Sequence, residues 1–485
     1  MAYQSVLGIA FRSVAILAVL AGFIASPLGA EPLEFNLYER SGPSPGKTVL
    51  VVGGIQGDEP GGFNAAALLL THYEFTRGNV WVVPNLNFAS IIKRSRGVYG
   101  DLNRKFRHIS PSDPEYHTIQ RIKKIITAEE VDLVLNLHDG SGFHRQRYID
   151  ALRNPNRWGQ SVIIDRKQIG PGTMGDLYAG ASKVVAKVNQ QLMDSEHVFS
   201  VKNTQTHLGN AEMAKTLTYF AVQNGKPAYG LETSKSFSTH LRAYYHLCML
   251  EAFFDKVGIG YHRKIPLQPE PVRKAIENDV RLSFHDHRVV LAAADARRHL
   301  RFFPLKKGDA LDFIASNPLL AVIPDKNALS IHHGNRRLTR ISPSYYDYDH
   351  ELRQIEMVVD GRPVTVGFGE IVDAKDSFMI HPIEGYRTNV IGFVGKKGTD
   401  ETGIAIRRLD IMKHYSIDRA GAIFRIEVYR DPKFAGMVLV NFNPDRPVPS
   451  NGAGFPGTTA LHLPDDASGK QLAMAGRPAS QALGR

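Results

Sequence analysis

The hydrophobic pattern between residues 48 and about 258 alternates short β-branched runs with longer amphipathic stretches. The short runs have the length of buried strands, and the longer ones repeat apolar residues at helical spacing. We predict strands at residues 48–52, 80–84, 131–138 and 228–232, and helices at residues 62–72, 114–127, 181–194 and 211–223. This alternation is typical of an α/β domain with a mostly parallel or mixed central sheet.

The pattern changes in the second half of the chain. Three prolines within residues 265–271 interrupt the helical rhythm and predict an extended interdomain linker. Short alternating runs with turn signals follow as far as residue 442, and they predict two small β-sandwich (Ig-like) modules. We place an α/β domain at residues 31–262, the modules at 263–345 and 346–443, and a disordered, Pro- and Gly-rich tail at 444–485.

The N-terminus has the pattern of a secretory signal peptide. Residues 1–30 carry Arg12 as their only charged side chain, then an apolar run at residues 14–24 and small residues up to Ala30. The alternative is a retained membrane anchor, because a run of this size is near the short end for a spanning helix. We favour cleavage over anchoring, with residues 1–30 as the signal peptide, which predicts a periplasmic protein with no stable membrane insertion.

The amino-acid composition excludes some classes of protein. Of the 485 residues, 43% are hydrophobic and 22% are charged, which excludes wholesale disorder and a polytopic membrane protein. The net charge of +11 could attract nucleic acid. An exported protein meets anionic lipids or cell wall instead, so we expect no nucleic-acid partner.

Three side chains are candidate ligands of one metal ion. Gln56 and Glu59 lie three residues apart in the glycine-rich turn after the first predicted strand, and His138 ends the third. A catalytic zinc site needs three protein ligands and one open position for water, and these residues supply three. Each alone also has a plain explanation, because Gln56 and Glu59 could form a helix-entry turn and His138 could be a hydrogen-bonded structural residue.

Candidate substrate-binding and proton-transfer groups lie elsewhere in the first domain. Arg96, Asn103 and Arg104 could bind a carboxylate, because a guanidinium pairs with it through two charge-assisted hydrogen bonds. These residues could equally form a solvated basic loop, and Arg94 competes with Arg96 for the same role. Glu232 ends the fourth predicted strand and, by itself, is an ordinary strand-end acid.

Taken together, these motifs resemble the zinc carboxypeptidase family. That family has a His-x-x-Glu pair after a strand, a later strand-end His, an Asn-Arg pair and a late strand-end Glu. Here Gln56 replaces the first His, and Asp101-Leu102-Asn103-Arg104-Lys105-Phe106 resembles the Asn-Arg element. The resemblance is closest to the cell-shape-determining peptidoglycan DL-carboxypeptidases, which use a Gln-Glu-His zinc site and carry two small β modules.

The resemblance implies a site and a reaction. One zinc ion per chain would be held by Gln56, Glu59 and His138, with lower affinity because an amide oxygen is a harder and weaker zinc ligand than imidazole. Glu232 would be the general base, and the substrate carboxylate would be held by Arg96, Asn103 and Arg104. The implied partners are peptidoglycan stem peptides: meso-diaminopimelate would be removed from uncrosslinked murein tripeptide, leaving a dipeptide. The β modules are the candidate surfaces for protein partners.

Two other functions stay open at this point. The Asn103-Arg104 segment also resembles N-acyl amino acid deacylases of the succinylglutamate desuccinylase and aspartoacylase type, although export argues against a cytoplasmic substrate. The second is a non-catalytic scaffold that binds the cell wall through its β modules. In that case Gln56 would mark a degenerate metal site.

Overall fold

The computed structural model describes residues 33–170, 174–278, 280–308, 311–395, 401–443, 455–456, 458–463 and 472–474. The predicted signal peptide, residues 1–30, lies outside the described residues. None of the helices within these ranges combines the length and the apolar character needed to cross a bilayer.

The first domain alternates strands and helices. Its strands are β1 (Tyr38–Ser41), β2 (Ser44–Val52), β3 (Tyr73–Val83), β4 (Leu133–Gly140), β5 (Phe143–His144), β6 (Arg153–Asn154), β7 (Ser161–Ile164), β8 (Ser200–Asn203), β9 (Ala228–Ser234) and β10 (Gly260–Arg263). Its helices are α1 (Pro60–His72), α2 (Phe88–Lys93), α3 (Tyr116–Ile126), α4 (Leu177–Val188), α5 (Leu217–Gln223), α6 (Thr239–Val257) and α7 (Pro269–Asn278). Each predicted strand and helix overlaps one of these elements.

The central sheet is mixed. Its strand order is β1-β3-β2-β4-β9-β7-β8, with β10 also paired to β3. The four central strands β3, β2, β4 and β9 run parallel, while β1, β10 and β7 pair antiparallel with their neighbours in the centre. The predicted fold class, an α/β domain with a mostly parallel or mixed sheet, is confirmed.

The apolar runs of the central strands follow from burial on both faces. Residues 48–52 of β2 and all of β4 and β9 are buried. A strand covered by helices on both sides has no polar face, so its sequence is continuously apolar rather than alternating. Polar residues therefore concentrate at the strand ends, where the candidate site lies.

The prolines at residues 265–271 do not form the predicted extended linker throughout. Helix α7 begins at Pro269, where a missing backbone N–H costs nothing because the first turn has no intrahelical partner for it. Val272, Ala275 and Ile276 of α7 are buried in the core of the first domain. The linker prediction was wrong here because these prolines start a helix instead of preventing one.

The remaining strands form the β modules. They are β11 (Arg281–Phe284), β12 (Val289–Ala292), β13 (His299–Lys306), β14 (Phe313–Ala315), β15 (Leu320–Asp325), β16 (Ala328–His333), β17 (Arg336–Tyr346), β18 (Gln354–Val359), β19 (Arg362–Gly367), β20 (Ile371–Asp373), β21 (Ser377–Ile380), β22 (Arg387–Val390), β23 (Ile406–Arg407), β24 (Ile423–Arg430), β25 (Lys433–Asn441), β26 (Phe455–Pro456), β27 (Thr458–Leu463) and β28 (Leu472–Met474).

These strands pair into four sheets. The orders are β12-β11-β14-β26, β13-β17-β16-β15-β27-β28, β19-β18-β21-β23 and β20-β25-β24-β22. The last sheet joins the modules, since Met437 and Leu439 of β25 enter the first module's core while Val438 and Val440 enter the second. The prediction of β-sandwich modules is confirmed.

Part of the predicted disordered tail is strand. β26, β27 and β28 lie within residues 444–485, and β26 and β27 pair with the edges of β14 and β15. Backbone hydrogen bonding to an exposed strand edge needs no large apolar side chain, which is why composition did not reveal it. The rest of this segment lies outside the described residues.

The first module contacts the helices that flank the candidate site. Leu319 and Ala321 share a buried apolar cluster with Phe63 of α1 and Phe88 of α2. At Gly334, a Cβ atom would lie 2.8 Å from the Phe63 ring. The first module therefore packs directly against α1 and α2. Position 334 has no room for a residue larger than glycine.

Candidate active site

The register of β4 and β9 places two of the candidate residues side by side. His138 pairs with Glu232, and two residues earlier Asn136 pairs with Gly230. Because partners on adjacent strands project to the same face of a sheet, His138 and Glu232 reach the same side at the carboxyl ends of these strands. This edge is where open α/β sheets usually bind ligands.

The glycine-rich turn brings Gln56 and Glu59 to this edge. The turn follows β2, the neighbour of β4 on the side away from β9. At Gly57 a Cβ atom would lie 2.0 Å from the backbone of Ser90, so only glycine lets the turn pack against α2. Glu59 is the residue before α1, with Pro60 in the first turn of the helix. Both candidate side chains are buried.

Three donor atoms converge in this position. His138 Nδ1 lies 2.9 Å from Oε2 of Glu59 and 3.2 Å from Oε1 of Gln56. Ligand atoms that share a tetrahedral zinc ion with bonds of about 2.0 Å lie about 3.3 Å apart, so the spacing of these atoms suits a metal of that size. The three side chains fit a small divalent cation.

The amide of Gln56 is a necessary part of this set. Across the described ranges, no three His, Cys, Asp or Glu side chains form a group that could hold a metal ion. Of the three convergent side chains, Glu59 and His138 are ligands of those types. An oxygen donor from Gln56 is therefore needed to reach the three protein ligands typical of a catalytic site.

A neighbouring carboxylate fixes the orientation of the Gln56 amide. Its Nε2 donates to Oδ1 of Asp101 at 2.7 Å, which turns its Oε1 towards His138. Asp101 also accepts from Arg96 Nε at 2.9 Å and from the backbone N–H of Asn103 at 3.0 Å. The motif that contains Asp101 does not by itself reveal this contact, although a carboxylate beside an Asn-Arg pair is a usable signal.

The charges around His138 favour a positive charge on its ring. Burial disfavours the charged form of His138, but the hydrogen bond and the negative charge of Glu59 outweigh it and raise the His138 pKa above its usual value. Glu59 Oε2 also accepts from the backbone N–H of Asp139 at 3.1 Å, so this carboxylate is held in place. The site thus attracts a proton, and a metal cation would meet the same field.

Glu232 is a buried carboxyl group. It is 9% exposed, and its Oε2 has no hydrogen-bond partner in the described part of the chain. Burial raises the pKa of Glu232 to about 8, with the charge of His138 opposing the rise and the carboxylates of Glu59 and Asp139 adding to it. A carboxyl group whose pKa lies near neutrality can both accept and donate a proton at physiological pH.

The carboxylate-binding candidates line the same cavity as the three metal-ligand candidates. Asn103 and Arg104 belong to a one-turn 3₁₀ helix capped by Asp101. Asn103 Oδ1 accepts from the backbone N–H of Leu217 at 2.9 Å, which leaves its Nδ2 towards the site, 3.4 Å from His138 Nε2. Arg104 is partly exposed and donates to the Asn103 carbonyl at 3.0 Å.

The structure distinguishes the two competing arginines. Arg96 lies between Asp101 and Glu59, 3.5 Å from Oε1 of Glu59, and its guanidinium lines the cavity. Arg94 is exposed and donates to the backbone carbonyl of Asn335 in the first β module. Position therefore favours Arg96 as a substrate contact.

One cavity of about 260 Å³ contains all seven predicted residues. It is lined by Gln56, Glu59, Arg96, Asn103, Arg104, His138 and Glu232, together with Asp139, Gly140, Ser141, Trp158, Ile163, Met213, Thr216, Thr218, Gly230 and Lys235. Lys235 was not among the predicted residues, and its Nζ lies 2.6 Å from Asp58 and 3.5 Å from Glu59. Its place three residues after Glu232 was the available signal.

Comparison with known protein families identified two matching regions. Residues 34–277 match the peptidase M99 family, described as "Carboxypeptidase controlling helical cell shape catalytic". Residues 348–443 match the family described as "C-terminal domain of metallo-carboxypeptidase". Comparison with curated protein sequences returned no match.

Solved structures of one bacterial protein resemble most of this chain. The tripeptide-bound cell shape determinant Csd4 of Helicobacter pylori is 35% identical with a TM-score of 0.75, and the match covers 84% of this chain and 100% of that one. The mDAP-bound form of Csd4, a D,L-carboxypeptidase, is also 35% identical with a TM-score of 0.75, over 83% and 99% of the two chains. The present chain therefore belongs to the peptidase M99 family of metallo-carboxypeptidases.

Proposed function

We propose that this chain is an exported, zinc-dependent D,L-carboxypeptidase. Its substrate is an uncrosslinked murein tripeptide, from which it removes the terminal meso-diaminopimelate and leaves a dipeptide. The observation that carries this proposal is one cavity in which Gln56, Glu59 and His138 converge beside the buried carboxyl group of Glu232. No second function has a comparable observation in its favour.

The solved relatives support the choice of substrate. Csd4 of Helicobacter pylori has been crystallised with a tripeptide and with mDAP, and it is described as a D,L-carboxypeptidase. The match covers 84% of this chain, so it extends beyond the α/β domain into the β modules. We therefore expect this chain to act on cell-wall peptides related to those bound by Csd4.

The cationic wall of the cavity suits a substrate with a free carboxylate. Arg96, Arg104 and Lys235 line it, and Asn103 adds an amide donor. Arg96 and Lys235 are already balanced by Asp101 and Asp58, whereas Arg104 lies 3.9 Å from Asp101 and 3.5 Å from Glu212. Since Arg104 has the looser ion pairs, we assign it the main contact with the terminal carboxylate.

The remaining residues of the site have separate roles in hydrolysis. A zinc ion held by Gln56, Glu59 and His138 would supply Lewis-acid activation of the scissile carbonyl and of water. Glu232 accepts the proton that the attacking water loses and passes it to the amine of the departing diaminopimelate. Its Oε2, which is buried and has no hydrogen-bond partner among the described residues, is free to make that transfer.

The place of action follows from the substrate and from the N-terminal pattern. Uncrosslinked stem peptides occur in the cell wall, and residues 1–30 have the composition of a signal peptide. We therefore place the mature enzyme in the periplasm, where it would take part in wall remodelling and cell shape. The β modules would then face the wall or protein partners.

A substrate panel tests the proposal. Zinc-loaded protein should release diaminopimelate from murein tripeptide and should leave N-succinylglutamate and N-acetylaspartate intact. Faster hydrolysis of the acyl amino acids would instead support a deacylase. Muropeptide binding without hydrolysis of either class would support a wall-binding scaffold.

A further inference from the structure

A loop with an apolar tip extends from the wall of the cavity. Ser141 and Trp158 both line the cavity, and the backbone N–H of Trp158 donates to the Ser141 carbonyl at 3.1 Å. The chain between them leaves the cavity wall and returns to it. We call its outer part, residues 145–152 between β5 and β6, the rim loop. The rim loop therefore starts and ends beside the site where the substrate binds.

Hydrogen bonds hold the rim loop in one conformation. Oδ1 of Asp150 accepts from the backbone N–H groups of Leu152 and Arg153, at 2.9 and 2.7 Å. Nδ2 of Asn154 donates to the carbonyls of Asp150 and Ala151, at 2.9 and 3.1 Å. These contacts satisfy backbone groups that a mobile loop would leave to water. The loop therefore presents its tip in a fixed arrangement.

The large side chains at the tip of the rim loop are apolar although they face solvent. Tyr148 is 71% exposed, Ile149 55% and Leu152 54%. Within the described ranges, the Tyr148 side chain makes no hydrogen bond or ring contact. Exposed apolar side chains contribute little to folding, whereas a group of them on an ordered surface commonly marks a binding site. The tip thus has the composition of a binding surface.

The charge of the rim loop argues against a membrane as its partner. The loop contains Arg145, Arg147 and Asp150, and two arginines with one aspartate leave a net charge of +1. Arg145 donates to the backbone carbonyl of Glu196 at 2.7 Å, whereas Arg147 is exposed and forms no ion pair with any described residue. Recognition of an anionic membrane takes clusters of about four to eight basic residues. One free guanidinium beside an aromatic ring suits a neutral ligand rich in hydrogen-bond acceptors.

The proposed substrate supplies such a ligand. In the cell wall the tripeptide is attached to a glycan of N-acetylated sugars. Two residues, L-alanine and D-glutamate, separate this glycan from the scissile bond and span on the order of 10 Å when extended. A cavity of about 260 Å³ has room for the groups at the scissile bond but not for the sugars as well. The glycan therefore lies outside the cavity, at the edge where the rim loop begins.

We propose that the rim loop binds the glycan to which the tripeptide is attached. The ring of Tyr148 packs against the C–H face of a sugar, and Arg147 donates to the acetamido carbonyl oxygens. Ile149 and Leu152 contact the acetamido methyl groups. This inference rests on the proposed function and deepens it, because it makes the glycan-linked tripeptide a better substrate than the free peptide.

A comparison of two substrates tests the inference. One is the free tripeptide, and the other is the same tripeptide carrying its N-acetylated disaccharide. The ratio of kcat/KM for the second to kcat/KM for the first should be about ten in wild type and about one in Tyr148→Ala, because an aromatic contact is worth about a tenfold change. Arg147→Gln should lower the ratio by a smaller factor. Tyr178→Ala, at an exposed tyrosine of α4 that does not line the cavity, should keep the wild-type ratio.

The ratio does not depend on how much of a variant is folded or loaded with zinc, so a partly folded variant still gives an answer. A ratio near one in wild type, or the wild-type ratio in Tyr148→Ala, contradicts the inference. Binding to phosphatidylglycerol vesicles that requires Tyr148, without any preference for the disaccharide, would assign the rim loop to a membrane surface instead.

Affinity gives a second readout that needs no turnover. By calorimetry, zinc-loaded Glu232→Gln should bind the disaccharide tripeptide about tenfold more tightly than the free tripeptide, and adding Tyr148→Ala should remove the difference. If wild type cleaves neither compound but this difference in affinity is present, the proposed function fails and the glycan site stands. If both compounds are cleaved equally well and bound equally tightly, the glycan site fails and the proposed function stands.

Discussion

Oε1 of Gln56 lies 3.2 Å from Nδ1 of His138, and it is held there because the other end of the Gln56 amide donates to Asp101. The contact with Asp101 thus sets the orientation of the amide. This preorganisation compensates in part for the weaker intrinsic affinity of an amide oxygen for zinc.

Removing that oxygen should weaken the metal site. We expect Gln56→Ala to lower zinc affinity by about tenfold or more, which corresponds to a loss of ~1.4 kcal/mol or more in binding free energy. Chelator competition measures it, and Gln223→Ala on the exposed end of α5 is the matched control. Equal affinities of the two variants would show that Gln56 is not a ligand.

Arg104 should contribute mainly through its forked guanidinium. We expect Arg104→Lys to lower kcat/KM for the tripeptide by about 10- to 100-fold, because lysine cannot form two parallel hydrogen bonds to one carboxylate. Most of the loss should appear in KM if the contact is equally strong in the ground state and the transition state. The exposed Arg107 allows a matched control, Arg107→Lys, which should keep wild-type kinetics.

Glu232 should make the stability of the metal-free protein depend on pH. Its pKa in the folded state is about 8, above the ordinary value of 4.5, so the folded state binds more protons than the unfolded state between these values. The stabilisation is therefore complete below about pH 4.5 and is lost as the pH rises through about 8.

Thermal unfolding in the presence of chelator measures this dependence. The melting temperature of wild type should fall across that window more steeply than that of Glu232→Gln, whose amide does not titrate. Parallel curves for the two proteins would show that the carboxyl group of Glu232 does not have a raised pKa in the metal-free state.

Much of the candidate site was predictable because its residues lie at strand ends. A polar His138 after seven residues of strand, and Glu232 after another strand, are conspicuous in an apolar sequence. Parallel strands bring their carboxyl ends to one edge of a sheet, which is where open α/β sheets bind ligands. Their direct pairing in register could not be predicted, because strand order is set by contacts distant in the sequence.

The contacts that orient these residues were less predictable. The bond from Gln56 to Asp101 joins residues 45 apart, and the Arg94 contact with Asn335 joins two domains. Neither leaves a local pattern in the sequence. Helix α7 was not predicted for a different reason. Closely spaced prolines occur both in linkers and in the first turn of a helix, so their presence does not distinguish the two.

Release of diaminopimelate from purified murein tripeptide, followed by mass spectrometry over a zinc titration, tests the proposed function most directly. Wild type should release one diaminopimelate and one dipeptide per tripeptide consumed, with activity lost in chelator and restored by zinc. Glu232→Gln should bind zinc normally and turn over about 10²- to 10⁴-fold more slowly, the usual contribution of a general base. No release by folded, zinc-loaded wild type, or undiminished turnover by Glu232→Gln, would contradict the proposal.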